Sequence, residues 1–332
     1  MYEPVLPPDV PQPLDQELLA WAAGFFDGEG STIAKRENAR PGYAQLAVSV
    51  PQSGNGTIPE VLARFRVAAF GTGRMEPRNA DGVYAWRSRG RADAELILAL
   101  MWRHLGPVKR QQAIVALETV EKQYETGAFM RRQAHYKPSF VAHPSAYRES
   151  SDPRRTDLAW AAGFLDAEGW IGVVRGQKRT DGSTWFRVRA SASQHSYDGA
   201  LPQVLLRLHE VLGVGRLQRH GEQDDFKWVS ERRDDVARVL ELTRPWLGSI
   251  KTTQATQALA AFDAQPRRRR ATATTCSRGH TYDRVVITKS GRLRKYCSAC
   301  ARITERERRQ RLGAKPRRLR KQPADPSRAY AA

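Results

Sequence analysis

The chain runs through one series of hydrophobic and polar patterns twice, in the same order. LLAWAAGFFDGEG (18–30) and LAWAAGFLDAEG (158–169) are nearly continuous runs of apolar and small residues that end on two acids and a glycine, each reading as a short helix closed by a C-cap at Gly30 or Gly169. Asp15 and Asp157 stand upstream as candidate N-caps. Two strand-like runs follow each helix, STIAKR and YAQLAVSV in the first copy, WIGVVRG and TWFRVRAS in the second. Next come an amphipathic helix (IPEVLARFRVAAF; LPQVLLRLHEVL), a G-x-G-R turn and a hairpin through YAWRSR or FKWVSE. Another helix (DAELILALM; DDVARVLEL), a Leu-Gly turn and a closing helix from Lys109 or Lys251 complete each series. This order predicts an α+β unit with one antiparallel sheet, helices on one face and the other face free.

Sliding the sequence on itself by 142 pairs Gln52 with Gln194, Gly71 with Gly213, Gly73 with Gly215, Trp86 with Trp228, Gly106 with Gly248 and Gln112-Ala113 with Gln254-Ala255, without a gap. The opening motif matches at 139, which assigns three extra residues to the second copy's KRTDGST hairpin. A duplicated domain packed about a pseudo-twofold axis follows. The expected organisation is a first copy over 14–125, a linker over 126–152, a second copy over 153–263, a basic linker over 264–275, a metal module over 276–303 and a basic tail over 304–332.

Charge adds a partner. Lys and Arg outnumber Asp and Glu by 55 to 35, a net charge of +20 that points to a polyanion, nucleic acid first. No apolar run approaches the roughly 20 residues of a membrane-spanning helix, and the Pro-rich start lacks a signal-peptide core, so a cytoplasmic, nucleoid-associated protein without a membrane partner is expected. Two anomalies stand out. Asp27, Glu29, Asp166 and Glu168 crowd helix C-termini, which already carry about half a negative charge from the macrodipole. Lys109 and Lys251, with Gly106 and Ser249 as candidate N-caps, sit in first helical turns where the dipole opposes a cation. Both anomalies occur in both copies, as a shared site binding metal and phosphate would require. All three cysteines fall in the tail, where Cys276-x3-His280 and Cys297-x2-Cys300 with a 16-residue spacer have the spacing of one structural zinc site. A hairpin as short as RVVITKSGRLRKY needs such a staple to fold. The basic segment after it is expected to add phosphate contacts that carry no sequence information.

AAGFFDGEG and AAGFLDAEG, the two G-x-G-R turns and the two L-G-x-x-K-x-x-Q-A segments resemble the LAGLIDADG homing endonucleases in their single-chain, two-motif form, over roughly residues 14–263. The resemblance implies two pseudo-symmetric α-β-β-α-β-β-α domains with saddle-shaped antiparallel sheets. Their motif helices would pack through Ala22, Ala23 and Gly24 against Ala161, Ala162 and Gly163. It assigns Glu29 and Glu168 as catalytic carboxylates, holding two or three Mg²⁺ ions at the interface with Gly28 and Ala167 as further ligands, and leaves Asp27 and Asp166 to support the helix ends. Lys109 and Lys251 match residues that contact the scissile phosphate region, and Gln52 and Gln194 match a position that orders catalytic water. The implied activity is a staggered double-strand break in a long, pseudo-symmetric DNA site, made by a monomer that is bacterial or phage-encoded. The free sheet faces would follow the major groove through Lys35, Arg36, Gln45, Arg74, Arg87 and Arg89 in one copy and Arg175, Lys178, Arg187, Arg189, Arg216 and Lys227 in the other. Trp86 and Trp228 are expected to pack rather than stack on bases. The chain's own Met and its AYAA end favour a free-standing enzyme over an intein. The alternative is a non-cleaving binder on the same scaffold, an RNA maturase or a DNA-binding regulator, against which both glutamates argue.

Overall fold

The computed structural model describes residues 6–36, 43–78, 82–125, 152–178, 184–196, 198–221, 224–265, 274–276, 278–288 and 293–311. Two compact units emerge, Met1–Gln265 and Pro266–Ala332. Both copies of the repeat belong to the first.

In the first copy α1 (Gln16–Glu29) leads to β1 (Ser31–Arg36), β2 (Ala44–Ser53), α2 (Glu60–Ala68), β3 (Arg74–Pro77), β4 (Val83–Arg87), α3 (Arg91–Met101) and α4 (Pro107–Glu125). The second repeats the series with α5 (Pro153–Glu168), β5 (Gly169–Lys178), β6 (Thr184–His195), α6 (Gln203–Leu212), β7 (Arg216–His220), β8 (Asp225–Ser230), α7 (Arg233–Thr243) and α8 (Ser249–Asp263). Each copy forms one four-stranded antiparallel sheet, ordered β1-β2-β4-β3 and β5-β6-β8-β7. The α-β-β-α-β-β-α order is therefore present, its last helical segment broken in two at each Leu-Gly turn. Strand alternation sets the faces. Ala44, Leu46, Val48 and Val50 are buried toward the helices while Gln45 between them is exposed.

Helix α1 does not alternate, because it has no exposed side: every residue from Leu18 to Asp27 is buried. One flank meets its own sheet and helices, and the other meets α5, the most extensive helix pairing among the described residues. The glycines make that approach possible. A Cβ on Gly24 would stand 2.8 Å from the Trp160 carbonyl carbon and 3.0 Å from Phe164 N, and one on Gly163 would stand 2.8 Å from the Trp21 carbonyl carbon.

Several local expectations are corrected. Asp152, not Asp157, caps α5, its carboxylate accepting from Arg154 N at 2.8 Å, because Pro153 is already set for a first helical position. Asp157 lies within the helix and accepts from Arg207 at 3.1 Å. Likewise Gly248 is the N-cap of α8, and Ser249 is its first helical residue. Gly30 and Gly169 end their helices in extended backbone, φ −72° and −74°, rather than left-handed. Space, not φ, demands glycine there: a Cβ on Gly30 would lie 2.6 Å from Phe26 Cε2 and closer still to Cγ and Cδ2 of that ring.

The repeat is not gap-free through its middle helix. Arg64 bonds the carbonyl of Trp246 and Arg207 that of His104, which makes these arginines equivalents at an offset of 143. One residue is gained before α6 and one lost after it, so α2 runs into Phe70 at φ 52° where α6 stops on Gly213 at φ 66°. The three extra residues do fall in the first hairpin of the second copy: seven residues separate paired Arg36 and Ala44, ten separate paired Arg175 and Phe186. The second copy also reaches past 263. Gln265 bonds Phe186 N and O at 2.7 and 3.2 Å, as Gln123 bonds Ala44 N and O at 2.7 and 2.6 Å. The linker over 126–152 lies, apart from Asp152, outside the described residues.

The second unit comprises an antiparallel hairpin, β9 (Arg284–Ile287) with β10 (Leu293–Tyr296), and helix α9 (Ser298–Arg311). That helix runs across the expected 303/304 boundary, so module and basic segment share one element. Among the described residues of this unit only Cys297 is buried, and Val285, Ile287 and Leu293 are exposed. Apolar burial cannot hold so small a fold by itself. No helix among the described residues is long and apolar enough to cross a membrane.

Candidate active site

Helices α1 and α5 run side by side and end together. Gly28 faces Ala167 and the stem of Glu168 so closely that an added Cβ would lie 3.0 Å from Glu168 Cγ. The structure thus brings the second acid of each motif to one place. Burial, then the neighbouring Glu168, push Glu29 up to about 7 against the opposing pull of Lys109 and Arg78. Burial also raises Glu168, with Lys109 and Lys251 opposing.

Each charge anomaly in the sequence is the answer to the other. The C-terminus of α1 abuts the N-terminus of α4, and the C-terminus of α5 abuts that of α8. Both oxygens of Asp27 accept from Gly106 N, at 3.0 and 2.9 Å, and both oxygens of Asp166 accept from Gly248 N, at 3.0 Å each. An acid at the end of one helix therefore caps the start of the next. Conversely, Lys109 Nζ donates to Gly30 O at 2.6 Å and Lys251 Nζ to Gly169 O, so each lysine neutralises the carbonyl end of the motif helix. Burial pushes Asp27 and Asp166 up to about 6, opposed chiefly by the indole of the other copy's tryptophan and the glycine amide. Burial pushes both lysines down, against the attraction of the acids beside them.

Gln52 and Gln194 occupy matching positions on β2 and β6, and the Oε1 of each is buried without a hydrogen-bond partner among the described residues. Unpartnered buried carbonyls at both pseudo-symmetric positions are a cost the fold carries for a reason. Glu29 and Glu168, which repel each other where α1 and α5 end, form an oxygen donor pair suited to hard divalent cations.

The expected sheet-face residues divide. Directly paired residues share a face of the sheet. Ser31, Ser49, Arg87 and Arg74 form one cross-strand row, and Lys35 pairs with Gln45 on that same open face. Arg187 and Arg189 alternate with buried Val188 and Ala190, and Lys227 pairs with Ser193 in the same parity. Arg36 and Arg175 instead pair with Ala44 and Phe186 and so fall on the opposite parity, because consecutive strand residues cannot share a face. Arg89 lies beyond β4, in the turn that Asp93 ties to α3. Lys178 lies past an irregularity in β5, paired through its backbone with Thr184. Glutamates gather the remaining arginines: Glu76 holds Arg74 and Arg87 at 3.0 and 2.8 Å, and Glu231 bonds Arg189 and, at 2.9 Å, Arg216, with Arg187 at 3.8 Å. Trp86 and Trp228 are core residues, their indoles donating to Thr72 O and Val214 O at 2.9 Å beneath Gly73 and Gly215.

Sequence reading missed three participants. Arg78 acts on Glu29, but its counterpart is His220, so the repeat gave no signal for it. Trp21 and Trp160 were visible in both motifs, and only the fold shows their indoles reaching Asp166 and Asp27 of the other copy, at 2.9 and 2.8 Å.

In the second unit Cys276, His280, Cys297 and Cys300 place one ligand atom each within 4.8 Å of one another. Cys276 Sγ lies 3.4 Å from Cys300 Sγ and 3.6 Å from His280 Nδ1, separations that a tetrahedral metal of roughly 2.3 Å sulfur bonds would span.

No family model and no curated protein matches the sequence. Solved structures do. The LAGLIDADG homing endonuclease I-GzeII in complex with its DNA target aligns with a TM-score of 0.56 at 14% identity, over 74% of this chain and 89% of that one. I-SmaMI bound to cleaved DNA aligns at 0.55 and 14%, over 73% and 87%, and I-LtrWI bound to target DNA at 0.55 and 14%, over 75% and 91%. At this identity the likeness is one of architecture, and the architecture is specific: paired motif helices between two four-stranded sheets give this chain the fold of the single-chain, two-motif LAGLIDADG homing endonucleases.

Proposed function

We propose that the chain is a site-specific DNA endonuclease that makes a staggered double-strand break in a long, pseudo-symmetric site. The observation that carries this reading is the meeting of Glu29 and Glu168 at the joined ends of α1 and α5. Glu29 and Glu168, with the backbone at Gly28 and Ala167, would hold two or three divalent cations, Mg²⁺ by the hardness of the donors. Bound there, such ions supply Lewis acidity and a water of lowered pKa. The protein's own groups do the positioning. Lys109 and Lys251 stand beside the carboxylates, where a phosphodiester would gather negative charge. Gln52 and Gln194 present free carbonyl oxygens that orient a water. On the open sheet faces Lys35, Gln45, Arg74 and Arg87, and Arg187, Arg189, Arg216 and Lys227, would meet phosphates and base edges, a reading supported by their shared strand parity. The Cys₃His group would hold one structural Zn²⁺, and α9, with Arg308, Arg309 and Arg311 in its last turn, would add phosphate contacts.

The test is incubation with Mg²⁺ and a plasmid carrying the uninterrupted form of the locus into which this gene is inserted. A linear product lost in Glu29→Gln or Glu168→Gln supports cleavage. Tight binding with no nick in the wild type would replace this reading by that of a non-cleaving binder.

A further inference from the structure

We infer that Trp21 and Trp160 are positioning residues through which each half of the molecule holds the other half's lysine in place, so that the cut each lysine serves depends on a side chain of the opposite half. The inference rests on the nuclease reading above and adds to it a device that the repeat builds twice.

The chain of contacts crosses the interface. Trp21, fully buried in the first copy, donates its indole N–H to Asp166 Oδ2 of the second at 2.9 Å. Asp166 in turn accepts from Gly248 N, the N-cap of α8. Two residues from that glycine's first helical neighbour stands Lys251, whose ammonium reaches the Gly169 carbonyl, one residue past Glu168. The first copy grips the same turn a second time: Arg64, stacked 4.1 Å over the Trp21 ring, donates to the carbonyl of Trp246, two residues before Gly248. The mirror set runs the other way. Trp160 donates to Asp27 at 2.8 Å, Asp27 caps Gly106, and Lys109 reaches Gly30 O at 2.6 Å. Arg207, 4.1 Å over Trp160, donates to His104 O at 2.7 Å.

Asp27 and Asp166 are buried, and the donors that hold their carboxylates come in part from the opposite copy. A carboxylate held by two donor groups in a dry interface is oriented tightly; with one group removed it can rotate, and the helix start it caps moves with it. Each lysine's position is thus set in part from across the interface, while each Glu is set by the helix of its own copy.

The full chain is assayed on supercoiled plasmid with each target strand labelled separately, with Mg²⁺. Trp21→Phe retains an aromatic ring beside Phe25 and deletes the N–H donor along with the indole's second ring. It is expected to slow, by about tenfold, the strand that Lys251→Met slows, leaving nicked circles, the scale being that of one hydrogen bond to a charged group. Trp160→Phe should slow the other strand, the one governed by Lys109. Equal slowing of both strands, or no slowing of either, overturns the inference. Amide exchange gives a readout that needs no cleavage: Trp21→Phe should speed exchange at Gly248 relative to Gly106, and Trp160→Phe the reverse. An unchanged ratio in whichever variant folds is also fatal to it. A wild type that cuts neither strand counts against the nuclease reading, and the exchange ratio still decides whether the coupling exists.

Discussion

Gly24→Ala adds one methyl at the crossing of the two motif helices. Its Cβ would stand 2.8 Å from the Trp160 carbonyl carbon and 3.0 Å from Phe164 N, all of it backbone of α5. Carbon contacts settle at roughly 3.5–4.0 Å, so α1 and α5 must separate by about 1 Å, since no rotamer change can relieve a clash with backbone. Overpacking of a closed interior costs about 1–3 kcal/mol, and this site belongs at the upper end because both partners are helix axes rather than side-chain tips. Displacement of about 1 Å at reacting groups costs on the order of a hundredfold in rate. Two assays apply: urea unfolding for stability, and single-turnover cleavage for geometry. Expected are a midpoint shift equivalent to about 2–3 kcal/mol and a loss of cleavage larger than the loss of folded protein. Gly163→Ala, against Trp21 and Phe25, should behave alike. Stability within about 0.5 kcal/mol of wild type, with an unchanged cleavage rate, would show that the helices are not held at the spacing described.

With Glu29 raised to about 7, a proton competes with the cation below that pH. Apparent Mg²⁺ or Ca²⁺ affinity, measured by calorimetric titration without DNA, should therefore rise with pH up to about 7 and flatten above it; a flat profile from about pH 5.5 to 8 would contradict the assignment of Glu29 as a ligand. Glu231→Gln releases Arg187, Arg189 and Arg216 from their shared carboxylate, so affinity for random-sequence DNA at low salt should rise severalfold and its salt dependence steepen. Weaker random-sequence binding would count against an open, DNA-facing sheet. Cys297→Ser removes a buried sulfur from the Cys₃His group; bound zinc, measured by elemental analysis, should fall from one per chain toward zero, and amides of α9 should lose exchange protection while those of α1 and α5 keep theirs. Retained zinc or retained protection would refute a metal-held module.

Much of the fold follows from the sequence, because the sequence states it twice. The periodicities name the strands and helices, and the duplicated acids, lysines and glutamines name the candidate site. Ala-Ala-Gly in both motifs carries a family resemblance that implies close helix packing. What one dimension could not supply is adjacency between distant segments. Acids at a helix end and a lysine at a helix start each look unfavourable along the chain, and become mutual stabilisers only when α1 meets α4 and α5 meets α8, about eighty residues away. Strand parity separates Lys35 from Arg36 and Arg189 from Arg175, since the pairing partner decides which face looks outward. Cross-copy bonds from Trp21 and Trp160 belong wholly to tertiary structure. The sequence determined which residues recur, and the packing of two helices through glycine decided which of them touch, because contact depends on distances that the chain's local pattern does not encode.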